Sequence, residues 1–238
     1  ISLALTDCLV LPIDHWVDLL WANLLGLGPR IWGLSVGRPA PVAIWRLIWA
    51  AIRSFSVKHE KIAAKLNVLG AGARIHPSAT VEASVLGKGV QIGAGAVVRG
   101  CVLGAGSKVE ELAVCEGVVT GDNALIQRQA LIKYSSMGPE SAIGGATQLA
   151  VLGGSSGLKR GAFGMDQSLS GAVRYIAGGS LRESPHGLLG ICLGEKTQIG
   201  AGVSVGPGRV LEPGIVLVAD FLQSPLKGEK GMYRVRDG

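Results

Sequence analysis

The stretch IHPSATVEASVLGKGVQIGAGAVVRGCVLGAGSKV, which occupies residues 75–109, repeats itself with a period of 17 residues. Its aliphatic residues recur at steps of five or six positions, and three successive steps add up to one period. A helix would place apolar residues every three or four positions, and antiparallel strands would alternate them every two. The spacing therefore predicts short strands separated by turns, three to a coil, with the coils stacked on one another.

The repeat continues beyond this stretch and sorts into three columns of positions expected to face inward. The first column is Ile75, Ile92, Val109, Ile126 and Ile143; the second is Val81, Val98, Cys115, Ile132 and Leu149; the third is Leu86, Leu103, Thr120 and Met137. A glycine follows each member of the third column, at Gly87, Gly104, Gly121 and Gly138. Glycine suits corners where the backbone bends sharply. This hexapeptide pattern predicts a mainly β fold, a left-handed parallel β-helix.

A second array with the same rhythm lies near the C-terminus, at Leu193, Ile199, Val205, Val210 and Val216. Between the arrays the rhythm fails, because Leu152 and Leu158 do not fall on the columns. We therefore expect a loop excursion over residues 159–190, and such loops often carry function. The predicted organisation is an α-helical segment over residues 1–66, the β-helix over residues 67–222 and a tail over residues 223–238.

The composition agrees with two unlike parts and excludes several classes of protein. The chain has 238 residues, 48 % hydrophobic and 17 % charged, which excludes an intrinsically disordered protein. Of its 37 glycines, 33 lie after residue 69, whereas all five tryptophans lie in the first 49 residues. The formal charge of +6 suits a phosphate-bearing ligand and does not indicate a nucleic-acid partner.

The first predicted helix covers Asp14–Leu25, where apolar residues recur at helical spacing. Asp14 is expected to cap its N-terminus, and Gly26, Gly28 and Pro29 are expected to end it.

A second helix is predicted over Pro41–Val57, a basic stretch that contains Trp45 and Trp49. We expect it to pack on the first coil or on a neighbouring subunit, because the open end of a solenoid needs a cover. Weak contact with an anionic membrane surface is the alternative.

The cysteines and the N-terminal residues bear on the cellular compartment. The four cysteines, Cys8, Cys101, Cys115 and Cys192, form no CxxC pair and are interpreted as reduced thiols of a cytoplasmic protein. Residues 1–11 are apolar but contain Asp7 and lack a basic start, so they do not resemble a signal peptide. No run of 18 uncharged apolar residues predicts a membrane-spanning helix.

Charged residues of the excursion are the main candidates for ligand binding. Lys159, Arg160, Arg174 and Arg182 can hold a phosphate or diphosphate if the loop brings them together. The alternative is that they only solvate the loop.

No metal site is expected. Only His76 among the four histidines falls within the coils, whereas a β-helix carbonic anhydrase needs three imidazoles.

Three stretches resemble the sugar-1-phosphate nucleotidyltransferase family, in the region where its β-helix follows its catalytic domain. Residues 18–23, DLLWAN, are similar to the D-L-L-x-A-N segment that closes that domain, and residues 75–87 are similar to the family's first coil. Residues 189–200 are similar to the coil after its extended substrate loop. The resemblance implies a homotrimeric β-helix. In the bifunctional members, which make UDP-N-acetylglucosamine, this β-helix is an acetyltransferase.

Two departures from the family limit what the resemblance implies. The glycine-rich nucleotide loop is absent, so this chain alone cannot transfer a nucleotidyl group. That domain lies outside this sequence, which begins with Ile1, or on another chain, or the protein lacks it. In the family's H-x-x-Y-x-G motif, Gln148 replaces the histidine and Val151 the tyrosine. A glutamine cannot accept the amine proton, so acetyl-CoA is implied as a cofactor only if acyl transfer is retained.

Two functions remain open on the sequence alone. The first is the β-helix part of a sugar-nucleotide-synthesising transferase, with a degenerate acyltransferase site that binds a phosphosugar or nucleotide-sugar. The second is a non-catalytic trimeric assembly module, with possible membrane contact through residues 41–57. The sequence does not decide whether the chain is itself an enzyme.

Overall fold

The computed structural model describes residues 12–32, Trp45, Ile48, Trp49, and residues 66–168, 171–184 and 187–219. A helix, α1 (Trp16–Trp32), precedes a solenoid of parallel strands. Trp45, Ile48 and Trp49 are helical and exposed, and the remainder of the helix predicted over Pro41–Val57 lies outside the described residues. Within the described part, no helix has the length and hydropathy that a membrane crossing requires.

Three parallel sheets form the sides of the solenoid, and a hairpin projects from it. Sheet A contains β1 (Val68–Leu69), β4 (Val85–Leu86), β7 (Val102–Leu103), β10 (Val119–Thr120), β13 (Ser136–Met137), β16 (Val151–Leu152), β21 (Cys192–Leu193) and β24 (Val210–Leu211). Sheet B contains β2 (Arg74–Ile75), β5 (Gln91–Ile92), β8 (Lys108–Val109), β11 (Leu125–Ile126), β14 (Ala142–Ile143), β17 (Gly157–Leu158), β22 (Gln198–Ile199) and β25 (Val216–Leu217). Sheet C contains β3 (Thr80–Glu82), β6 (Val97–Arg99), β9 (Val114–Glu116), β12 (Leu131–Lys133), β15 (Ala146–Gln148), β18 (Phe163–Gly164) and β23 (Ser204–Val205). The hairpin consists of β19 (Arg174–Ala177) and β20 (Ser180–Glu183).

The register of these sheets confirms the predicted left-handed parallel β-helix. Ile75 pairs with Ile92, and Ile92 pairs with Val109, so residues 17 apart are stacked on sheet B. Val98 and Ile132 on sheet C are fully buried. The core is therefore one aliphatic side chain deep on each side, and stacking of the coils makes it continuous.

One coil is shorter than the period predicts. Ile143 pairs with Leu158, and Met137 pairs with Leu152, a spacing of 15 residues rather than 17. The corner after Ile143 lacks two residues, so Thr147 and not Leu149 occupies the second column opposite Ile132. The placement of Leu149 was therefore wrong, as was the exclusion of Leu152 and Leu158 from the columns.

The last coil differs from the prediction by one position. Leu193 pairs with Leu211, and Ile199 pairs with Leu217. The predicted inward residues Val210 and Val216 are instead 46 % and 62 % exposed. The turn between β23 and β24 contains one more residue than the prediction allows, and a shift of one residue turns every side chain of a strand to the opposite face.

The part of the chain outside the coils is shorter than residues 159–190. Phe163 pairs with Ala146 and Gly164 pairs with Thr147, so residues 159–164 still belong to a coil. The chain leaves the coil at Met165 and rejoins it before Cys192. The hairpin in this segment turns at Gly178 and Gly179, whose φ values of 57° and 74° suit a tight two-residue turn.

Helix α1 begins at Trp16 with an unexpected cap. The Asp18 carboxylate accepts hydrogen bonds from the backbone N–H groups of His15 (3.0 Å) and Asp14 (3.2 Å), and His15 Nδ1 accepts one from Val17 (3.4 Å). The Asp14 side chain does not act as the predicted cap. His15 takes the N-cap position, and Asp18 bonds back to it as the third residue of a capping box does.

The same helix continues through Gly26, Gly28 and Pro29, which the sequence predicted would end it. The cost of glycine in a helix, about 1 kcal/mol per residue, is offset by packing on the outer face of sheet A. Leu27 packs there with Val119, and Asn23 Nδ2 donates a hydrogen bond to Ser136 Oγ (2.9 Å). Helix α1 therefore lies along the side of the coils and not over their end.

The glycines that follow the third column have a structural reason. A Cβ at Gly87 would lie 2.7 Å from the backbone nitrogen of Ala105 and 2.8 Å from the carbonyl carbon of Gly104 in the next coil. Ordinary contacts of this kind are 3.4–4 Å. Successive coils approach too closely at this corner for any side chain to fit between them.

Candidate functional site

The outer face of sheet C carries a column of alternating charges, which we call the charge ladder: Glu82, Arg99, Glu116 and Lys133. Arg99 bonds to Glu82 through Nε (3.1 Å) and to Glu116 through Nη1 (3.3 Å), and Lys133 Nζ lies 2.7 Å from Glu116 Oε2. Residues that are 17 apart in sequence stand on adjacent strands, so opposite charges at this spacing neutralise each other.

The two cations stabilise the ionised form of Glu116. The hydrogen bond from Lys133 is the largest cause of a lowered pKa for this carboxyl group, and Arg99 adds to it. Because the folded-state pKa lies below the ordinary value, this interaction stabilises the fold above that ordinary pKa and is lost as the pH falls through the lowered one.

The next position of the same column is Gln148, which lines a small cavity that we call the sheet C pocket. The cavity has a volume of about 140 Å³, and Leu131, Lys133, Ala146, Phe163 and Asp166 also line it. Gln148 Nε2 donates a hydrogen bond to Asp166 Oδ2. The accessible surface of the pocket is mostly apolar and includes the exposed side chains of Leu131 and Phe163, while the Lys133 ammonium, the Gln148 amide and the Asp166 carboxylate contribute a small polar part. This combination suits the apolar face of a small molecule that carries a few hydroxyl groups.

The structure separates the two motif positions that the sequence grouped together. Gln148 faces outward on sheet C, whereas Val151 lies on sheet A and is buried beneath α1 with Leu20 and Leu189. The two residues lie on different faces of the coil, so the motif positions do not form one site.

A second cavity, which we call the corner slot, results from the shortened coil. One edge of the slot is the corner formed by Arg128 and Gln129, and the other is the corner formed by Arg160 and Gly161 two coils further on. The corner of the coil between them consists only of Gly144 and Gly145. The missing residues leave a cavity of about 380 Å³. Strands are stacked about 4.8 Å apart, so the two edges of the slot are separated by about 10 Å. An arginine stands on each edge.

The two arginines differ in their ion pairing. Arg128 Nε bonds to Glu111 Oε2 (3.1 Å), and its backbone N–H donates to Glu110 Oε2 (2.8 Å). Arg160 is exposed and forms no salt bridge with any residue that the structure describes. Its guanidinium is therefore available for an anion in the slot.

The corner slot and the sheet C pocket adjoin, because Ala146 and Phe163 line both. Together they form a continuous surface with guanidinium groups at one end and hydrogen-bonding groups at the other. Such a surface can bind a molecule that carries both a phosphate group and hydroxyl groups.

The four predicted phosphate ligands do not converge. Arg160 lines the corner slot, and the neighbouring Lys159 is exposed beside it but lines neither cavity. Arg174 and Arg182 lie on the hairpin, where Arg174 pairs with Glu183 and Arg182 with Tyr175 in the ladder. Adjacent pairs of a hairpin ladder face opposite sides, so these two arginines point away from each other.

Three functional candidates were missed by sequence reasoning. Arg128 belongs to a coil, and its relation to Arg160 becomes visible only when the 15-residue spacing is known. Arg209 directly precedes β24, and Asp166 follows the final strand before the excursion. No spacing signal in the sequence marks Asp166.

The described histidines lie away from this surface. His15 packs its ring 5.2 Å from that of Tyr175, and His76 Nδ1 lies 2.8 Å from Ser78 Oγ. His59 and His186 lie outside the described residues. Within the described residues no group of His, Cys, Asp and Glu side chains is arranged to hold a metal ion. The Gln148 amide cannot take a proton from an attacking amine, so the residues at this position do not fit catalysis with acetyl-CoA.

Comparison with known proteins gives one family match and several distant structural ones. The family model described as GlmU-like, C-terminal hexapeptide matches residues 56–124, which supports a hexapeptide-repeat β-helix region. No curated protein matches the chain.

Three solved structures illustrate the structural matches. A hexapeptide transferase family protein from Anaplasma phagocytophilum is 16 % identical, with 61 % of this chain and 73 % of that chain covered and a TM-score of 0.24. The acetyltransferase domain of PglB from Neisseria gonorrhoeae, in complex with acetyl coenzyme A, is 18 % identical, with 72 % and 63 % covered and a TM-score of 0.22. The polysialic acid O-acetyltransferase OatWY is 11 % identical, with 67 % and 94 % covered and a TM-score of 0.24. At these TM-scores no argument about function rests on the three structures.

Proposed function

We propose that the chain is the β-helix part of a sugar-nucleotide-synthesising transferase and that it binds a phosphosugar or nucleotide-sugar without transferring an acyl group to it. The observation that carries the proposal is the corner slot, with Arg128 and Arg160 on its two edges, adjoining the sheet C pocket. The family match over residues 56–124 and the DLLWAN stretch agree with such a protein. Like its relatives by resemblance, it is expected to act in the cytoplasm.

The phosphate is expected to occupy the slot. Arginine binds phosphate through two parallel hydrogen bonds, and its long side chain lets guanidinium groups from both edges meet on one anion. Glu111 holds Arg128, which fixes the direction of that side chain, whereas Arg160 supplies the uncompensated charge.

The sugar is expected to occupy the pocket. Phe163 is 42 % exposed and offers an apolar surface to a sugar ring, while Lys133, Gln148 and Asp166 can exchange hydrogen bonds with its hydroxyl groups. Gln148 then acts as a binding residue at the position where the resembling motif has its base.

Titration calorimetry with glucose 1-phosphate, UDP-N-acetylglucosamine and a GDP-sugar tests this proposal. Arg160→Ala is expected to weaken binding about 10- to 100-fold, which is the usual effect of removing hydrogen bonds to a charged group. Lys159→Ala is the matched control, because it removes a neighbouring exposed cation that lines neither cavity. Absence of heat with all three ligands, or an equal effect of the two variants, contradicts the proposal.

The absence of acyl transfer is tested separately by following thiol release from acetyl-CoA with an amino-sugar phosphate as acceptor. No release above the rate without protein is expected. Any turnover would contradict the non-catalytic part of the proposal, and turnover that survives Gln148→Ala would show that another residue accepts the proton.

A second candidate function, assembly as a homotrimer, is favoured by one specific feature. Val97, Val114, Leu131, Ala146 and Phe163 form an outward column beside the charge ladder on sheet C. Leu131 and Phe163 are 40 % and 42 % exposed. Light scattering coupled to gel filtration is expected to give three times the mass of one chain, and Leu131→Asp is expected to lower it. A wild-type mass of one chain contradicts assembly.

A further inference from the structure

A third cavity lies away from the corner slot, between the hairpin and the last turns of the solenoid. We call it the hairpin hollow. Its volume is about 670 Å³, and its lining includes Arg174, Leu181, Glu183, Arg209 and Pro207. None of these residues lines the slot or the pocket, so the hollow is a separate site.

The hairpin presents one defined face to this hollow. Arg174 pairs with Glu183 and Ile176 pairs with Leu181, so these four side chains share a face. On the opposite face the Tyr175 ring lies 5.2 Å from the ring of His15 at the start of α1. This contact holds the hairpin so that the Arg174 face is left open.

The base of the hairpin rests directly on the solenoid. The Gly208 N–H donates a hydrogen bond to the carbonyl oxygen of Gly190 (2.7 Å), where the chain returns to the coils after the hairpin. A Cβ at Gly208 would lie 3.1 Å from Val173 Cγ1 and would overlap the carbonyl oxygen of Arg174. Because Gly208 also has a φ of +69°, another residue fits poorly there, and the close seating keeps the hollow preformed.

The charges in the hollow favour an anion. Arg174 Nε bonds to Glu183 Oε1 (3.2 Å), which orients its guanidinium. Arg209 forms no salt bridge with the residues that the structure describes. Two guanidinium groups thus face one carboxylate, and the remaining hydrogen-bond donors match a phosphate.

The lining of the hollow is mostly polar, but it includes one exposed aliphatic side chain that a simple phosphate would not use. This side chain is Leu181, and its ladder partner Ile176 lies beside it on the same face of the hairpin, next to the cavity. Both side chains are 63 % exposed. Two adjacent exposed aliphatic side chains next to arginines suit a hydrocarbon chain attached to the anion.

We propose that the hairpin hollow binds a phosphate monoester that carries a hydrocarbon chain. The phosphate contacts Arg209 and Arg174, and the chain lies along Leu181 and Ile176. This inference goes beyond the proposed sugar-phosphate site, because it concerns other residues and another class of ligand.

The test is a titration of the full chain with inorganic phosphate and with ethyl, butyl and hexyl phosphate, all below micellar concentrations. Affinity is expected to rise about two- to fourfold per added methylene group that becomes buried. Arg209→Ala is expected to weaken every member of the series about 10- to 100-fold. The double variant Ile176→Ser/Leu181→Ser is expected to remove the dependence on chain length and to leave inorganic phosphate unaffected.

Arg182→Ala is the matched control, because Arg182 is an exposed arginine of the same hairpin that points away from the hollow. It is expected to change nothing. Equal effects of Arg182→Ala and Arg209→Ala, or equal affinity for inorganic phosphate and hexyl phosphate, overturn the proposal.

Two further arms identify the source of the ligand and separate the two proposals. Co-sedimentation with vesicles that contain phosphatidic acid, lost in the double variant, indicates a lipid headgroup; binding of hexyl phosphate without vesicle binding indicates a free amphiphile. Both outcomes support the site.

Arg160→Ala is expected to leave hexyl phosphate binding unchanged, so loss of sugar-phosphate binding and loss of alkyl-phosphate binding are distinguishable. If Arg160→Ala abolishes hexyl phosphate binding, the hollow is not the site.

Discussion

Replacement of Gly87 by alanine tests the reason for the glycine column. The new Cβ would lie 2.7 Å from the Ala105 nitrogen, so the next coil must move by about 0.7 Å to restore an ordinary contact. The same movement lengthens the hydrogen bond from the Gly87 N–H to the Leu103 carbonyl, now 2.8 Å, beyond its useful range. Overpacking costs about 1–3 kcal/mol, and the weakened bond adds about 1 kcal/mol. We expect a loss of about 2–4 kcal/mol.

The matched control is Gly89→Ala in the same coil. A Cβ at Gly89 meets nothing within 4 Å, but the φ of +69° is unfavourable for alanine by about 1 kcal/mol. Both substitutions reduce the freedom of the unfolded chain equally, so that effect cancels in the comparison. Urea unfolding followed by circular dichroism measures the two losses, and the larger one corresponds to a Tm lowered by about 4–16 °C. If Gly87→Ala costs no more than Gly89→Ala, contact between coils does not explain the column.

The remaining predictions concern titratable groups. Lys133→Met is expected to reduce stability at pH 7, because it removes the hydrogen bond that does most to lower the pKa of Glu116. The difference in free energy of unfolding from wild type is expected to fade below about pH 4, where Glu116 becomes protonated in both proteins. A difference that urea titrations find to be independent of pH contradicts this. Burial raises the pKa of Cys101 to about 12 and that of Cys115 well above its usual value. A thiol reagent at pH 8 is therefore expected to label them only as fast as the chain unfolds in a Cys8→Ser/Cys192→Ser variant, which also lacks the partly exposed Cys192, and rapid labelling of the folded variant contradicts their burial.

The columns of the β-helix were predictable because they depend on aliphatic residues at a constant spacing. The corner lengths were not, because a corner can lose or gain residues while the strands on either side remain paired. The coil through Gly144–Gly145 shows this, since assuming a fixed spacing placed Leu149 where Thr147 lies. In the last coil, Val210 and Leu211 are both aliphatic and adjacent, so the pattern did not indicate which one faces inward.

The candidate site was predictable only in part, for the same reason. Arg160 was recognised as a cation in an irregular region, but its counterpart Arg128 stands across a slot that exists because the corner is short. Arg174 and Arg182 were grouped by proximity in sequence, and the alternation of a hairpin ladder separates them. At the N-terminus, breaker residues predicted the end of α1, but tertiary packing on sheet A outweighed local preference.

The position of α1 along sheet A bears on how the solenoid opens. A helix of 17 residues is about 25 Å long, close to the height of five stacked strands. Its contacts run from Val85 to Val151, so it spans coils that otherwise touch only their immediate neighbours. A solenoid without such a helix along its side can unfold from its end one coil at a time. The coils that α1 contacts are therefore expected to exchange their amide hydrogens as one cooperative unit, and α1 must detach before any of them unfolds.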